Sequence, residues 1–204
     1  MINLPNKIGI MGGSFNPVHN AHCIMADCFV REVNCDVCYL VPSAISPLKP
    51  VNTLVSSEHR LAMLKLATQN NPKLEVSDIE IIRGGISYTI DTIRWFQSHF
   101  PESKLYLLIG ADQAVEFTRW KEWKVILQAV QLCIASREGI DNQDDILKAL
   151  TVDDRSPIWL NCPTIQLSST MIRQYLNFNK PVKNFLADEV VEYIHINKLY
   201  KLTI

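Results

Sequence analysis

A chain of 204 residues that is 48% hydrophobic and 20% charged can bury a core of its own, as one large domain or as a domain with a small helical tail. Its net charge of −1 argues against a general polyanion binder, because nucleic-acid-binding domains carry a basic excess. No apolar run approaches a membrane span and the first residues lack a signal peptide's apolar core, so no membrane partner is expected and the expected location is cytoplasmic.

In chain order, Lys7-Ile8-Gly9-Ile10-Met11 reads as a buried strand and Cys23–Val30 as a packed helix. Between them runs Gly12-Gly13-Ser14-Phe15-Asn16-Pro17-Val18-His19-Asn20-Ala21-His22, a strand-to-helix junction rich in small residues and histidine. Asp36–Val41 reads as the next strand, followed by a proline- and serine-rich loop, 42–50. Ser57-Glu58-His59-Arg60 opens a helix with Ser57 as its cap and Leu61, Leu64 and Ala67 as its apolar stripe. Leu74–Val76 and Ile79–Ile82 read as short strands, Thr89–His99 as a helix and Leu105–Ile109 as a buried strand that ends in a turn at Gly110-Ala111-Asp112. A segment with Trp120 and Trp123 follows, then a strand at Val130–Ala135, a surface helix at Gln143–Leu150 and a last strand at Ile158–Leu160. Ser168-Ser169-Thr170-Met171-Ile172-Arg173 opens a further helix, and Asp188–Leu199 is helical in pattern. Strand–helix alternation of this kind predicts an α/β fold with a parallel sheet covered by helices on both faces. One domain is expected, with a soft boundary near 161–166 that separates a core, 1–165, from a helical C-terminal section, 166–204.

Six cysteines, Cys23, Cys28, Cys35, Cys38, Cys133 and Cys162, are expected to be free and mostly buried thiols. Cys35 and Cys38 have CxxC spacing, but three residues along a strand would place them on opposite faces, and no second pair completes a zinc set.

The chemistry concentrates at two helix starts. His19 and His22 share a side on the first helical turn, where imidazole and free backbone N–H groups suit phosphate oxygens. Zinc-binding histidines on a helix are normally four apart with a glutamate between, which this pair lacks. The plainer alternative is one capping and one packing histidine. Ser168, Ser169, Thr170 and Arg173 form a second candidate anion site; here the alternative is an ordinary serine cap beside a solvated arginine. Two such helix starts suggest one long anion held between them, a triphosphate. Lys49 lies in the loop at the ligand-binding edge of a parallel sheet, although most loop lysines are merely solvated. Trp120 can stack on a flat cationic ring, or simply pack.

The 12–22 stretch resembles the GxFxPxHxxH signature of the adenylyl/cytidylyltransferase superfamily, and residues 168–173 resemble its SSTxxR signature. His59–Leu64, Ser87–Thr92, Ile109–Gln113 leading into Trp120-Lys121-Glu122-Trp123, and the ending from Val191 through Tyr200 are similar to the bacterial nicotinate mononucleotide adenylyltransferases within it. The resemblance implies a Rossmann-like open sheet and a direct in-line transfer of the adenylyl group from ATP to nicotinate mononucleotide, with release of pyrophosphate. It implies ATP contacts from Gly12, Gly13, Ser14, Phe15, His19, His22, Lys49, Gly110, Ser168, Ser169, Thr170 and Arg173, with His19, His22 and Arg173 as the catalytic set. For the acceptor it implies Ser14, Lys49, Tyr88, Thr89, Asp112, Trp120 and Lys121, with Trp120 stacked on the pyridine ring and Thr89 at its carboxylate. Mg²⁺ is expected to arrive with ATP, held by phosphate oxygens and water rather than by a carboxylate cage. No acidic residue near Thr89 is expected to welcome a carboxamide, which favours the nicotinate substrate.

This sequence departs from the family at Ser14 and Asn16, where threonine and aspartate are frequent, at Ala21 in place of glycine, and at Leu48 in place of histidine. The alternatives are a pantetheine-phosphate or nicotinamide-mononucleotide adenylyltransferase, a catalytically silent nucleotide-binding regulator, or a Cys/His zinc module.

Overall fold

The computed structural model describes residues 4–47, 55–135, 143–163 and 165–200. Within them the short apolar runs become strands β1 (Lys7–Gly13), β2 (Val37–Pro42), β3 (Leu74–Val76), β4 (Lys104–Gly110), β5 (Gln131–Ala135) and β6 (Ile158–Leu160). All pair in parallel, in the order β3-β2-β1-β4-β5-β6. The chain therefore builds outward from β1 in one direction and then from β4 in the other. Connections leaving β1 and β4 diverge, so a crevice opens beyond the carboxyl ends of these two strands, where open α/β sheets take their ligands.

The helices are α1 (Asn20–Val33), α2 (Ser57–Thr68), α3 (Ile79–Arg83), α4 (Thr89–His99), α5 (Ala111–Val115), α6 (Trp123–Ala129), α7 (Gln143–Leu150), α8 (Ser169–Asn177) and α9 (Asp188–Ile196). Because strand side chains alternate, the sheet feeds two cores. On one face Met11, Leu40, Leu108 and Cys133 meet Ala26 of α1, Met63 of α2, Ile172 of α8 and Val190 of α9. On the other, Ile10, Val41, Leu107 and Ile134 meet Ile93 of α4, Ala114 of α5, Ile126 of α6 and Ile146 of α7. This is the two-sided cover that the alternation predicts. Each large apolar side chain buried in this way contributes about 1.5–3 kcal/mol. Gly9 is what lets α1 lie close to the sheet, since a Cβ there would stand 2.5 Å from the fully buried Phe29 ring. No helix among the described residues is long and apolar enough to cross a membrane.

Several expectations change. Ile79–Ile82 is helix, not strand: α3 buries Glu80, leaves Ile82 72% exposed and stops at Gly84, whose φ of +67° a side chain would disfavour. The cap of α2 is Ser56, one residue earlier than expected, and its side chain accepts the His59 N–H. The buried stripe of α2 is Arg60, Met63, Leu64 and Thr68, so it is rotated from the expected one and includes a charge. Gly110 does not close a turn but caps α5. The cysteine reading holds for four residues and fails for two: Cys23, Cys35, Cys38 and Cys133 are free, whereas Cys28 of α1 is bonded to Cys162 beyond β6. Their 134-residue separation hid the pairing from local spacing. Cys35 precedes β2 and so escapes strand alternation; it shares one core face with Cys38.

Candidate active site

The first signature leaves the sheet at the end of β1 and turns back into α1 within six residues. Phe15 makes the turn possible, sitting fully buried with φ +45° in the left-handed region. Its ring lies over Gly13, where a Cβ would approach it to 2.9 Å, so Gly13 is needed for packing rather than for freedom of φ. A Cβ on Gly12 would point into open space. The Asn16–Pro17 peptide is cis and Asn16 is buried. Phe15 in turn meets the His22 ring edge-on at 5.1 Å, and His22 stacks on His19 at 3.7 Å. His19 is the N-cap of α1 and is 5% exposed.

The backbone N–H of His19 donates to His22 Nδ1 at 3.2 Å. That bond assigns the acceptor role to Nδ1 and therefore places the proton of a neutral His22 ring on Nε2, which makes Nε2 a donor. The two histidines are thus held as a stacked pair at a helix N-terminus, where the dipole and the first N–H groups already favour an anion.

The second signature docks against this turn. Ser169 Oγ donates to the Pro17 carbonyl at 2.9 Å, Arg173 Nη1 donates to the Asn16 carbonyl at 2.8 Å, and Arg173 Nη2 reaches Thr170 Oγ1 at 3.1 Å. Ser168 caps α8 by accepting the Met171 N–H. The plain capping alternative thus describes Ser168, while Ser169 and Arg173 join the two signatures across more than 150 residues of sequence.

Beside the turn, at the β1/β4 crevice, lies a cavity of about 350 Å³. Gly12, Gly13, Ser14, Tyr88, Thr89, Asp112, Trp120 and Lys121 all line it. Phe15, His19, His22, Gly110, Ser168, Ser169, Thr170 and Arg173 do not. Lys49 lies outside the described residues. Phe117 backs the Trp120 ring at 4.8 Å between centroids, and Lys121 Nζ sits 4.4 Å over the Tyr88 ring, 3.9 Å from Asp91. Gly110 makes room for Asp112, whose Oδ1 lies 2.5 Å from where a Cβ on Gly110 would stand.

Sequence reasoning missed several contributors. Glu80 and Thr92 also line the cavity, and Thr92 Oγ1 donates to Glu80 Oε1 at 2.5 Å while Arg83 Nη2 donates to Thr92 at 3.4 Å. Glu80 thus joins Asp112 as an acidic residue on the cavity, with its carboxyl group engaged by Thr92. Ser87 Oγ accepts the Ala44 N–H at 2.9 Å and ties the loop after β2 to the start of α4. Arg60, 1% exposed, donates to the Ser14 carbonyl at 2.8 Å. Its i, i+3, i+4 register with Met63 and Leu64 was the available signal.

Residues 10–175 match the cytidylyltransferase-like family. The chain belongs to that family. A probable nicotinate-nucleotide adenylyltransferase of Lactococcus lactis is 36% identical over 196 residues, covering 96% of this chain and 95% of the relative. The nicotinate-nucleotide adenylyltransferase of Bacillus subtilis is 33% identical, with 96% and 98% covered. Among solved structures, Plasmodium falciparum nicotinic acid mononucleotide adenylyltransferase complexed with NaAD superposes with a TM-score of 0.79 at 22% identity, covering 96% and 97%. The crevice beyond β1 and β4 is where an open sheet of this order takes its ligand.

Proposed function

We propose that this chain is a nicotinate-nucleotide adenylyltransferase, making nicotinate adenine dinucleotide and pyrophosphate from ATP and nicotinate mononucleotide. The observation that carries the reading is the acceptor cavity opening on Gly12, Gly13 and Ser14, part of the same strand-to-helix turn that leads into His19 and His22 and is bonded by Arg173. One loop thus serves two substrates.

In the reaction a phosphate oxygen of the mononucleotide forms a bond to the α-phosphorus of ATP as the bond to the β-bridging oxygen breaks. Pyrophosphate leaves with the electron pair. His19 and His22 donate to the phosphates and stabilise charge at the α-phosphoryl; Arg173, Ser169 and Thr170 hold the far phosphates together with the N–H groups at the start of α8. No covalent enzyme intermediate is needed. Burial pushes the Cys23 and Cys35 thiols up to about 11 and Cys133 up to about 12, so they are poor sources of a thiolate nucleophile.

Mg²⁺ enters as part of the Mg–ATP substrate. The donors around the turn are imidazole, hydroxyl, guanidinium and backbone N–H, which suit phosphate oxygens rather than a hard cation. In the cavity Trp120 stacks on the pyridine ring. The N–H groups of Thr89 and Ile90, which by helix geometry have no intrahelical acceptor, take the carboxylate with the α4 dipole behind them. Asp112 engages a ribose and Lys121 counters the acceptor's negative charge at the cavity mouth. The location in this reading is cytoplasmic.

ATP labelled at the α-phosphorus tests the proposal. In a single turnover with nicotinate mononucleotide the label is expected in the dinucleotide alone. Label retained on the protein, or released only as AMP, would overturn it.

A further inference from the structure

The turn that presents the phosphate donors is gripped from behind by a part of the chain that neither signature includes. Asn16 Oδ1 accepts two hydrogen bonds, from the Tyr200 hydroxyl at 2.9 Å and from the Val55 N–H at 3.2 Å. The Asn16 carbonyl takes Arg173, and the Ser14 carbonyl takes Arg60, whose Nε also reaches the Val55 carbonyl at 3.3 Å. Tyr200 lies 184 residues from Asn16 in sequence, so this contact is set by the whole fold rather than by local structure.

Three features separate this from routine packing. First, two guanidiniums converge on one turn, and among the described residues neither Arg60 nor Arg173 has a carboxylate within ion-pair distance. Of the two, Arg60 is buried and holds the turn, while the Arg173 guanidinium suits a polyphosphate as well. Second, burial pushes the Tyr200 phenol up, against the lowering influence of Arg173 and Arg60, so the hydroxyl stays protonated and remains a donor to Asn16. Third, Lys198 and Tyr200 both adopt left-handed backbone, φ +52° and +63°, a conformation that non-glycine residues keep only where their surroundings impose it.

We propose that Tyr200 is a positioning residue for ATP: through Asn16 it fixes the Ser14–Pro17 turn, and with it the placing of the His19, His22 and backbone donors that meet the phosphates. The inference rests on the adenylyl-transfer reading. Tyr200 does not line the acceptor cavity and reaches it only indirectly, through Ser14 at the far end of the turn it holds, so its effect falls more heavily on ATP than on the mononucleotide.

The test compares Tyr200→Phe, Asn16→Leu and Asn16→Asp with wild type. Tyr193→Phe, which removes a phenol bonded to His59 rather than to the turn, is the control. Two quantities are read: steady-state KM for each substrate, and calorimetric affinity for a non-hydrolysable ATP analogue. Tyr200→Phe and Asn16→Leu are expected to raise the ATP KM and weaken analogue binding about tenfold, with the mononucleotide KM within about twofold of wild type. Asn16→Asp keeps an acceptor for Tyr200 but adds a negative charge beside the phosphates, and is expected to weaken analogue binding less than Asn16→Leu does. Analogue affinity within about twofold of wild type in Tyr200→Phe overturns the proposal, as does an equal loss for both substrates. Analogue binding needs no turnover, so a wild-type protein that makes no dinucleotide would sink the adenylyl-transfer reading, while the arms of this comparison would still decide the role of Tyr200.

Discussion

The role proposed for His22 depends on what lies on its other edge. Its Nδ1 is occupied by the His19 backbone, which leaves Nε2 as the protonated edge, and Phe15 and His19 hold the ring from two sides. Removing His19 takes away both the proposed phosphate donor and the stacking partner, so His19→Ala is expected to lower kcat about a hundredfold or more in a steady-state assay, with a small change in thermal stability. A kcat within about threefold of wild type would contradict the role given to it. Gly13 is a different kind of requirement. A methyl group there meets the Phe15 ring, and displacing Phe15 releases His22, so Gly13→Ala is expected to cost both stability and turnover, read by a thermal scan and by kcat on the same sample. Gly12→Ala, with open space around it, is expected to leave stability unchanged. The two histidines, the glycines and Arg173 could be picked out as candidates because each motif is local. Asn16, Arg60 and Tyr200 were not, because each acquires its role from a partner at least 39 residues away.

At the scale of elements, the start of α4 depends on α3. Thr92 gives its hydroxyl proton to Glu80 and accepts from Arg83, so two charged side chains and a helix are tied together at the rim of the acceptor cavity. Thr92→Val is isosteric but leaves Glu80 without that donor, and is expected to cost about 1–3 kcal/mol in urea denaturation. It is also expected to raise the KM for the mononucleotide while leaving that for ATP near wild type, because α4 presents Thr89 to the cavity and not to the phosphates. A loss below about 0.5 kcal/mol would mean that the bond is incidental. The sequence placed α4 correctly and misread α3. Five residues are too few for periodicity to separate helix from strand, and isoleucine at three of the positions Ile79, Ile81 and Ile82 argued for a strand. The buried member of that run proved to be the glutamate.

For the whole molecule, the alternation of apolar runs and amphipathic helices was enough to read a parallel sheet covered on both faces. The strand order was not readable from composition, since nothing local says whether β4 returns beside β1 or beside β3. It is this order that leaves β1 and β4 facing one crevice. The Cys28–Cys162 bond was hidden for the same reason: it joins α1 to the connection that leads from β6 into α8, and only the fold brings them together. In protein purified without reductant, four titratable thiols rather than six are expected after unfolding. A loop of this length gives the bond up to about 5 kcal/mol in the chain-entropy account, so reduction is expected to lower Tm by roughly 5–15 °C. Six thiols, or a Tm indifferent to reductant, would contradict it. The central claim is that this sheet, turn and cavity together adenylylate nicotinate mononucleotide. Its most direct test is to supply ATP with nicotinate mononucleotide and, separately, with nicotinamide mononucleotide, and to quantify dinucleotide and pyrophosphate. The account expects equimolar products and a kcat/KM at least about tenfold higher for the nicotinate substrate; no dinucleotide from either, or a preference for the nicotinamide form, would contradict it.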